Sequence, residues 1–211
     1  IQQIVSLIDL TNLSDDCDQA AIKTLCAQTE TPVGHVAAVC VWPAFVADVT
    51  RILGQNSPVR IATVVNFPSG DEPLETTCAA IEKALNDGAN EIDYVLPYNA
   101  LINGNKEIVT NSLQKIRSCT PEYALLKVIL ETGKLNSSEL IRTAANIAIE
   151  QGADFIKTST GKAPVNATLE SATIMLDAIA QTSRNVGFKA AGGIKTAGEA
   201  NAYLNLSEEL I

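Results

Sequence analysis

Gly152-Ala153-Asp154-Phe155-Ile156-Lys157-Thr158-Ser159-Thr160-Gly161-Lys162 runs from the end of a helical segment into a short strand. Helical periodicity in the segment before it ends at Gly152. The β-favouring pair Phe155-Ile156 then opens a strand with a lysine in its interior, closed by Thr, Ser, Thr and Gly. Strands of a parallel sheet are buried on both faces, so an ammonium inside one loses hydration and shifts towards the neutral amine, the form that attacks carbonyls. Lys157 is therefore a candidate Schiff-base nucleophile. The competing reading is a lysine at a strand end whose head snorkels to water.

A second strand of the same kind weighs against that alternative. Val186-Gly187-Phe188-Lys189-Ala190-Ala191-Gly192-Gly193 again buries a lysine in apolar sequence and runs into a glycine turn, with Lys195 just beyond. Neighbouring lysines disfavour each other's charge, so Lys189 is expected to lower the pKa of Lys157. Upstream, Gly88-Ala89-Asn90-Glu91-Ile92-Asp93 repeats the pattern of residues 152–157, with Asp93 where Lys157 stands.

Working outward, strand and helix alternate seven times. Polar markers fall in the strands at Asp9, Cys40, Asn66, Asp93, Lys127, Lys157 and Lys189, 26 to 34 residues apart, close to the length of a βαβ unit. Uniform units of this length fit either a (β/α) barrel or a doubly wound sheet. The polar residues recur at the carboxyl ends of many strands, which favours the α/β TIM barrel. With period two, Asp93, Lys157 and Lys189 point into the barrel and Ile92, Tyr94, Ile156 and Phe188 towards the helices. Asp93 on the fourth strand and Lys157 on the sixth then lie at one height, with Lys127 and Lys189 on the interleaved strands.

Local signals divide the rest. The first strand is expected at 6–10, followed by a helix over 18–28 capped by Ser14, Asp15 or Asp16. Helices are expected over 45–53, 72–86, 169–180 and 196–204, and after the loop at 103–105. Asn136 and Glu139 resemble a capping box at the head of a helix running to Gln151.

Composition narrows the function. The 211 residues are 46% hydrophobic and 18% charged, which is expected to give one soluble globular domain over 1–211. A net charge of −9 without clustered Lys or Arg argues against nucleic acid or an anionic membrane as partner. Five scattered cysteines with no C-x-x-C pair indicate neither a disulfide framework nor a zinc site, so a reducing, cytoplasmic compartment is expected. No apolar run approaches the ~20 residues of a membrane span, and residues 1–10 do not show an n-region followed by an h-region.

A neutral lysine facing an aldehyde or ketone forms a carbinolamine and then an iminium, an electron sink for bond changes at the adjacent carbon. Asp93 is a candidate general acid and base, directly or through water, and Asp9 can balance a neighbouring ammonium. The bland alternative for Asp93 is a buried ion pair with Lys127 or Lys189. Gly161-Lys162 and Gly192-Gly193 have the character of phosphate sites, where glycine lets N–H groups approach an oxyanion and lysine adds charge; each is also compatible with a plain turn. Ser159-Thr160-Gly161-Lys162 fits an S-x-x-K motif but lacks that motif's partners. His35 reads as a hydrogen-bonded structural histidine, and Cys40 as packing beside the site.

The run Asp154 to Lys162, with Gly187 to Gly193, Glu91-Ile92-Asp93 and Asn66-Phe67-Pro68, resembles the 2-deoxyribose-5-phosphate aldolase (DeoC) family over nearly the whole chain. The resemblance implies a class I aldolase on a TIM barrel, needing no metal or other cofactor. It implies reversible cleavage of 2-deoxy-D-ribose 5-phosphate to acetaldehyde and D-glyceraldehyde 3-phosphate. By motif, Lys157 would be the Schiff-base lysine, Lys189 the lysine that perturbs its pKa and shares in proton transfer, and Asp93 the proton donor and acceptor. Asp9, in Leu7-Ile8-Asp9-Leu10-Thr11, would support Lys189. Lys162, Gly161, Gly192 and Gly193 would hold the phosphate, with Thr158 and Cys40 lining the substrate.

Family members continue into an eighth strand with a phosphate loop and a terminal helix, so the chain is expected to be truncated at its C-terminus. Expected partners are a sugar phosphate and aldehydes, with a homodimer as one assembly open to it. Two further readings stand beside the aldolase: a Schiff-base barrel for a different sugar phosphate, and an inactive ligand-binding barrel.

Overall fold

Short β-rich runs separated by amphipathic helices can pair in one sheet only through crossover connections, which makes neighbouring strands parallel. The computed structural model, which describes residues 1–54 and 56–211, has that arrangement. Its seven parallel strands are β1 (Asp9–Asn12), β2 (Ala38–Val41), β3 (Arg60–Val65), β4 (Glu91–Val95), β5 (Leu125–Ile129), β6 (Phe155–Lys157) and β7 (Gly187–Lys189). They pair in chain order with no reversal, as a barrel requires and a doubly wound sheet does not. Lys189 on β7 reaches Asp9 on β1 at 2.7 Å, so the sheet curls until its first and last strands face one another.

Among the described residues ten α-helices accompany the sheet: α1 (Gln2–Val5), α2 (Gln19–Ala27), α3 (Val46–Leu53), α4 (Leu74–Asn86), α5 (Tyr98–Ile102), α6 (Lys106–Cys119), α7 (Thr132–Leu135), α8 (Ser138–Glu150), α9 (Leu169–Ala180) and α10 (Ala197–Leu210). Their buried faces, through Ile22, Val49, Ile81, Leu113, Ile141 and Met175, join the outward residues Val39, Ile92, Tyr94, Val128 and Ile156 in one continuous core. Each such side chain, fully buried, contributes ~1.5–3 kcal/mol of burial free energy. The barrel interior holds a separate small apolar cluster of Leu13, Cys40, Ala62 and Val64 under Trp42 and Phe67. Beside Lys127 on β5, Phe155 and Gly187 form a register pair step, and a Cβ at Gly187 would stand 2.2 Å from the Phe155 ring. Only glycine admits that ring.

Several local expectations are corrected. The first strand starts at Asp9 rather than Ser6, because Gln2–Val5 closes a helical turn through Val5 N–H to Ile1 and Ser6 N–H to Gln2. Asp18, not residues 14–16, caps α2 by accepting from the Ala21 N–H. Ser137 caps α8, and Asn136 instead takes a left-handed backbone, φ 43°. A short antiparallel hairpin of Glu30–Thr31 and Gly34–His35 precedes β2, and α10 runs on to Leu210 behind a Thr196–Glu199 capping box.

The absence of disulfides expected from cysteine spacing is also corrected. Packing of α4 against α6 brings Cys78 and Cys119, 41 residues apart in sequence, to a Cα separation of 5.7 Å, and their sulfurs are bonded. Cys17, Cys26 and Cys40 are free. Thiol titration of the denatured, unreduced protein is expected to count three thiols. Reduction is expected to cost on the order of 2–4 kcal/mol of stability, read as a lower melting temperature. Five thiols before reduction would contradict the pairing.

Candidate active site

Parallel pairing sets neighbouring side chains on the same face, so each inward residue is fixed by register. Asp93 lies beside Lys127, and Lys157 beside Lys189. The six charged side chains Asp9, Glu91, Asp93, Lys127, Lys157 and Lys189 therefore share the barrel interior as three acids and three lysines. Lys157 Nζ lies 2.5 Å from Asp93 Oδ2, which brings the fourth and sixth strands together at one height as the phase argument expects. The snorkelling alternative fails, since Lys157 is 4% exposed and Asp93 fully buried.

Lys127 is the hub of this network. Its ammonium contacts Glu91, Asp9 at 2.9 Å and Asp93 at 3.3 Å, while Arg60 reaches Glu91 from outside at 2.7 Å. Removing a hub of this kind would leave several buried carboxylates uncompensated, the situation in which a buried pair matters most.

The charge states follow from these contacts and differ from expectation at one point. Burial is the largest influence and opposes the charge on Lys157, but the charge and the hydrogen bond of Asp93 together move the pKa upward, with Lys127 as an opposing cation. The expected downward shift of Lys157 is thus corrected: its pKa is moved above the ordinary lysine value, and its amine is paired with Asp93. The lysine held below its ordinary value is Lys189, chiefly by burial and against the pull of Asp9. Burial would raise Asp93 and Asp9, yet the lysines outweigh it and hold both carboxylates below the usual range. Burial, with Asp93 next, pushes the Cys40 thiol up to about 12, so it stays protonated and packs as the sequence suggested. Lys127 is raised despite burial, through Asp93, Asp9 and Glu91.

The sign of the pH effect follows. Asp9 and Asp93 have folded pKa values below the unfolded 3.8, so the stability they contribute is present above about pH 4 and lost as pH falls through the folded values. Thermal melts are expected to show a steep loss of melting temperature on acidification below about pH 4. Asn substitution at Asp9 should flatten that slope. A melting temperature that holds or rises on acidification would contradict the charged network.

Above the network, the loops that follow β6 and β7 pack on each other. Thr158 Oγ1 accepts from the Ala191 N–H at 3.0 Å, Ala167 N–H donates to the Ala191 carbonyl, and Gly192 lies against the Asn166 side chain. Thr158 therefore braces the β7 loop and is itself buried. Lys162 stands at the rim, 5.7 Å from the Trp42 ring centroid and 3.3 Å from Asp15. Gly161, at φ 83°, occupies a backbone region that favours glycine. His35 lies away from this cluster, its Nδ1 at 2.9 Å from the Val36 carbonyl, in keeping with a structural role. Glu91 shares the inward phase of Asp93 two residues on but was not singled out as a site residue, and Glu131, whose buried carboxylate meets Thr160, carried no local signal in the sequence.

A profile described as DeoC/LacD family aldolase matches residues 3–205. A deoxyribose-phosphate aldolase from Agrobacterium fabrum is 51% identical over 207 residues, covering 98% of this chain and 80% of its own. A provisionally named deoxyribose-phosphate aldolase from Coccidioides immitis superposes with a TM-score of 0.92 at 29% identity, over 97% of this chain and 79% of that one. The tetrameric deoxyribose phosphate aldolase from Aeropyrum pernix, at 23% identity and TM-score 0.86 over 97% and 84% of the two chains, shares the fold. No helix among the described residues is long and apolar enough to cross a membrane. With paired lysines and carboxylates inside a parallel barrel and a family match along nearly all of its length, the chain is a member of the DeoC/LacD aldolase family.

Proposed function

We propose that this protein reversibly cleaves 2-deoxy-D-ribose 5-phosphate to acetaldehyde and D-glyceraldehyde 3-phosphate, with Lys157 forming the iminium. The observation that carries the reading is the buried contact of Lys157 with Asp93 at 2.5 Å, at the carboxyl end of β6. An amine there is desolvated, fixed in place and next to a proton acceptor.

Lys157 must first lose a proton. Lys189, held towards the neutral amine, is its register neighbour and the group suited to take it. The neutral Lys157 amine then adds to C1 of the open-chain aldehyde, and loss of water from the carbinolamine leaves the iminium. A base removes the proton from the C3 hydroxyl, the C2–C3 electron pair flows into the iminium as an enamine, and glyceraldehyde 3-phosphate departs. Protonation of the enamine at C2 and addition of water to the resulting iminium release acetaldehyde and the free lysine. Asp93, directly or through one water, serves as that base and acid, and Asp9 holds Lys189 in place at 2.7 Å. Lys162 and the Gly161, Gly192 and Gly193 backbone receive the phosphate at the rim. Thr158 sets the wall between the loops and Cys40 lines the floor as a protonated thiol. A phosphorylated substrate does not leave the cell unaided, which supports a cytoplasmic reaction.

The downward shift of Lys189 favours one second reading, in which Lys189 is the nucleophile and Lys157 the charged partner. The activity itself is tested by following acetaldehyde and glyceraldehyde 3-phosphate release from 2-deoxyribose 5-phosphate beside a panel of other sugar phosphates. Turnover of the deoxyribose ester above the panel is expected. Cleavage of a different ester only would move the assignment to another aldolase, and no cleavage of any would leave a binding protein.

A further inference from the structure

Glu131 combines two unfavourable features at one residue outside the lysine network. Its backbone is left-handed at φ 56° and ψ 58°, a region that costs a non-glycine residue stability, and its carboxylate is buried at 2% exposure. Among the described residues no Lys or Arg lies within ion-pair distance of it. A buried carboxylate without a counter-ion persists only where hydrogen bonds hold it.

Those bonds come from a single turn. Thr160 Oγ1 donates to Glu131 Oε2 at 2.5 Å, and the Thr160 N–H faces both carboxylate oxygens at 3.4 Å. The same hydroxyl accepts from the Lys162 N–H at 3.1 Å. A backbone N–H can only donate, so the Thr160 hydroxyl must accept from Lys162 and spend its own proton on Glu131. The direction of the relay is thereby fixed, from Lys162 through Thr160 to Glu131. On either side of Glu131 the backbone follows β6, with Leu130 N–H donating to the Lys157 carbonyl and Thr132 N–H to that of Thr158. The left-handed turn at Glu131 thus tips one side chain out of the strand path and onto the loop that carries Gly161 and Lys162.

We propose that Glu131 is a positioning residue for anion binding: through Thr160 it locks the Gly161-Lys162 turn in the conformation that receives the substrate phosphate. This rests on the phosphate assignment made above and adds the residue that sets its geometry. No hydrogen bond or ion pair joins Glu131 to Lys157 among the described residues, so its loss should change affinity for the phosphate and spare iminium formation. Gln at this position keeps the volume but offers one acceptor oxygen and turns an amide N–H₂ towards donors.

Three variants and two probes test it. Inorganic phosphate affinity is measured by titration calorimetry for wild type, Glu131→Gln, Thr160→Val and Thr160→Ser. Iminium formation is measured separately by trapping unphosphorylated acetaldehyde with borohydride. Glu131→Gln and Thr160→Val are each expected to weaken phosphate by about tenfold, the loss of one charge-assisted hydrogen bond. Thr160→Ser should restore wild-type affinity, and all three should trap acetaldehyde at the wild-type rate. With 2-deoxyribose 5-phosphate the same two variants should raise KM about tenfold and leave kcat within about threefold. Unchanged phosphate affinity in Thr160→Val overturns the proposal, as does a parallel fall in acetaldehyde trapping. Should Glu131→Gln not fold, Thr160→Val alone decides. A wild type that binds phosphate but fails to cleave the sugar would sink the activity and leave this test intact.

Discussion

Lys157→Ala is expected to lower kcat for cleavage by at least about 10⁴-fold, because without the amine the adjacent carbon has no electron sink. The variant should still bind phosphate, since Lys162 and the glycine turns are untouched. Asp93 keeps Lys127 at 3.3 Å, so its charge is not orphaned and the fold should survive. The expected destabilisation is about 3 kcal/mol, the low end for removing one partner of a buried pair. Circular dichroism melts and phosphate titration separate this from global unfolding. A folded Lys157→Ala protein that retains more than about a hundredth of wild-type turnover would remove Lys157 from the chemistry and bring Lys189 forward.

Asp93→Asn should divide the reaction into a part that is lost and a part that is eased. With the carboxylate gone, Lys157 loses the charge that holds its pKa up, and burial is left to favour the neutral amine. Iminium trapping with acetaldehyde is therefore expected to gain rate at pH 6–7, where the wild-type lysine is charged. Turnover needs protons moved at O3 and C2, so kcat should fall about 10²- to 10⁴-fold. Lys127 retains Asp9 and Glu91 and stays charged. Stopped-flow trapping against pH and steady-state cleavage on the same preparation read the two effects. Equal losses in both would show that Asp93 only holds the lysine in place.

Barrel and lysine constellation were legible in the sequence because each strand carries its chemistry at a fixed phase. Asp93, Lys157 and Lys189 share a parity with their strand neighbours, and parallel register does the rest. Asp9 was legible as a charge among apolar residues, although its strand begins three residues later than the pattern suggested. The helix caps at Asp18 and Ser137 were missed because adjacent Ser, Asp and Asn residues offer equivalent oxygens, and backbone geometry chooses between them. Contacts set by tertiary packing left no local trace. The Cys78–Cys119 bond depends on how α4 and α6 meet. Glu131 reads in sequence as the end of a strand, and only its left-handed turn discloses a partner on the next loop.

The charge of Lys157 was misjudged for a physical reason. Burial and neighbouring lysines both press towards the neutral amine, and the sequence shows those two causes plainly. What it hides is the 2.5 Å approach of Asp93, whose charge and hydrogen bond together carry the pKa above the ordinary lysine value.

The central claim is that Lys157 forms a covalent iminium with the two-carbon fragment. It is tested most directly by incubating the protein with acetaldehyde, reducing with borohydride, and mapping the adduct by peptide mass spectrometry. A single reduced two-carbon addition is expected on the peptide containing Lys157, absent from Lys157→Ala. Modification of Lys189 instead, or no stable adduct on a folded protein, would contradict it.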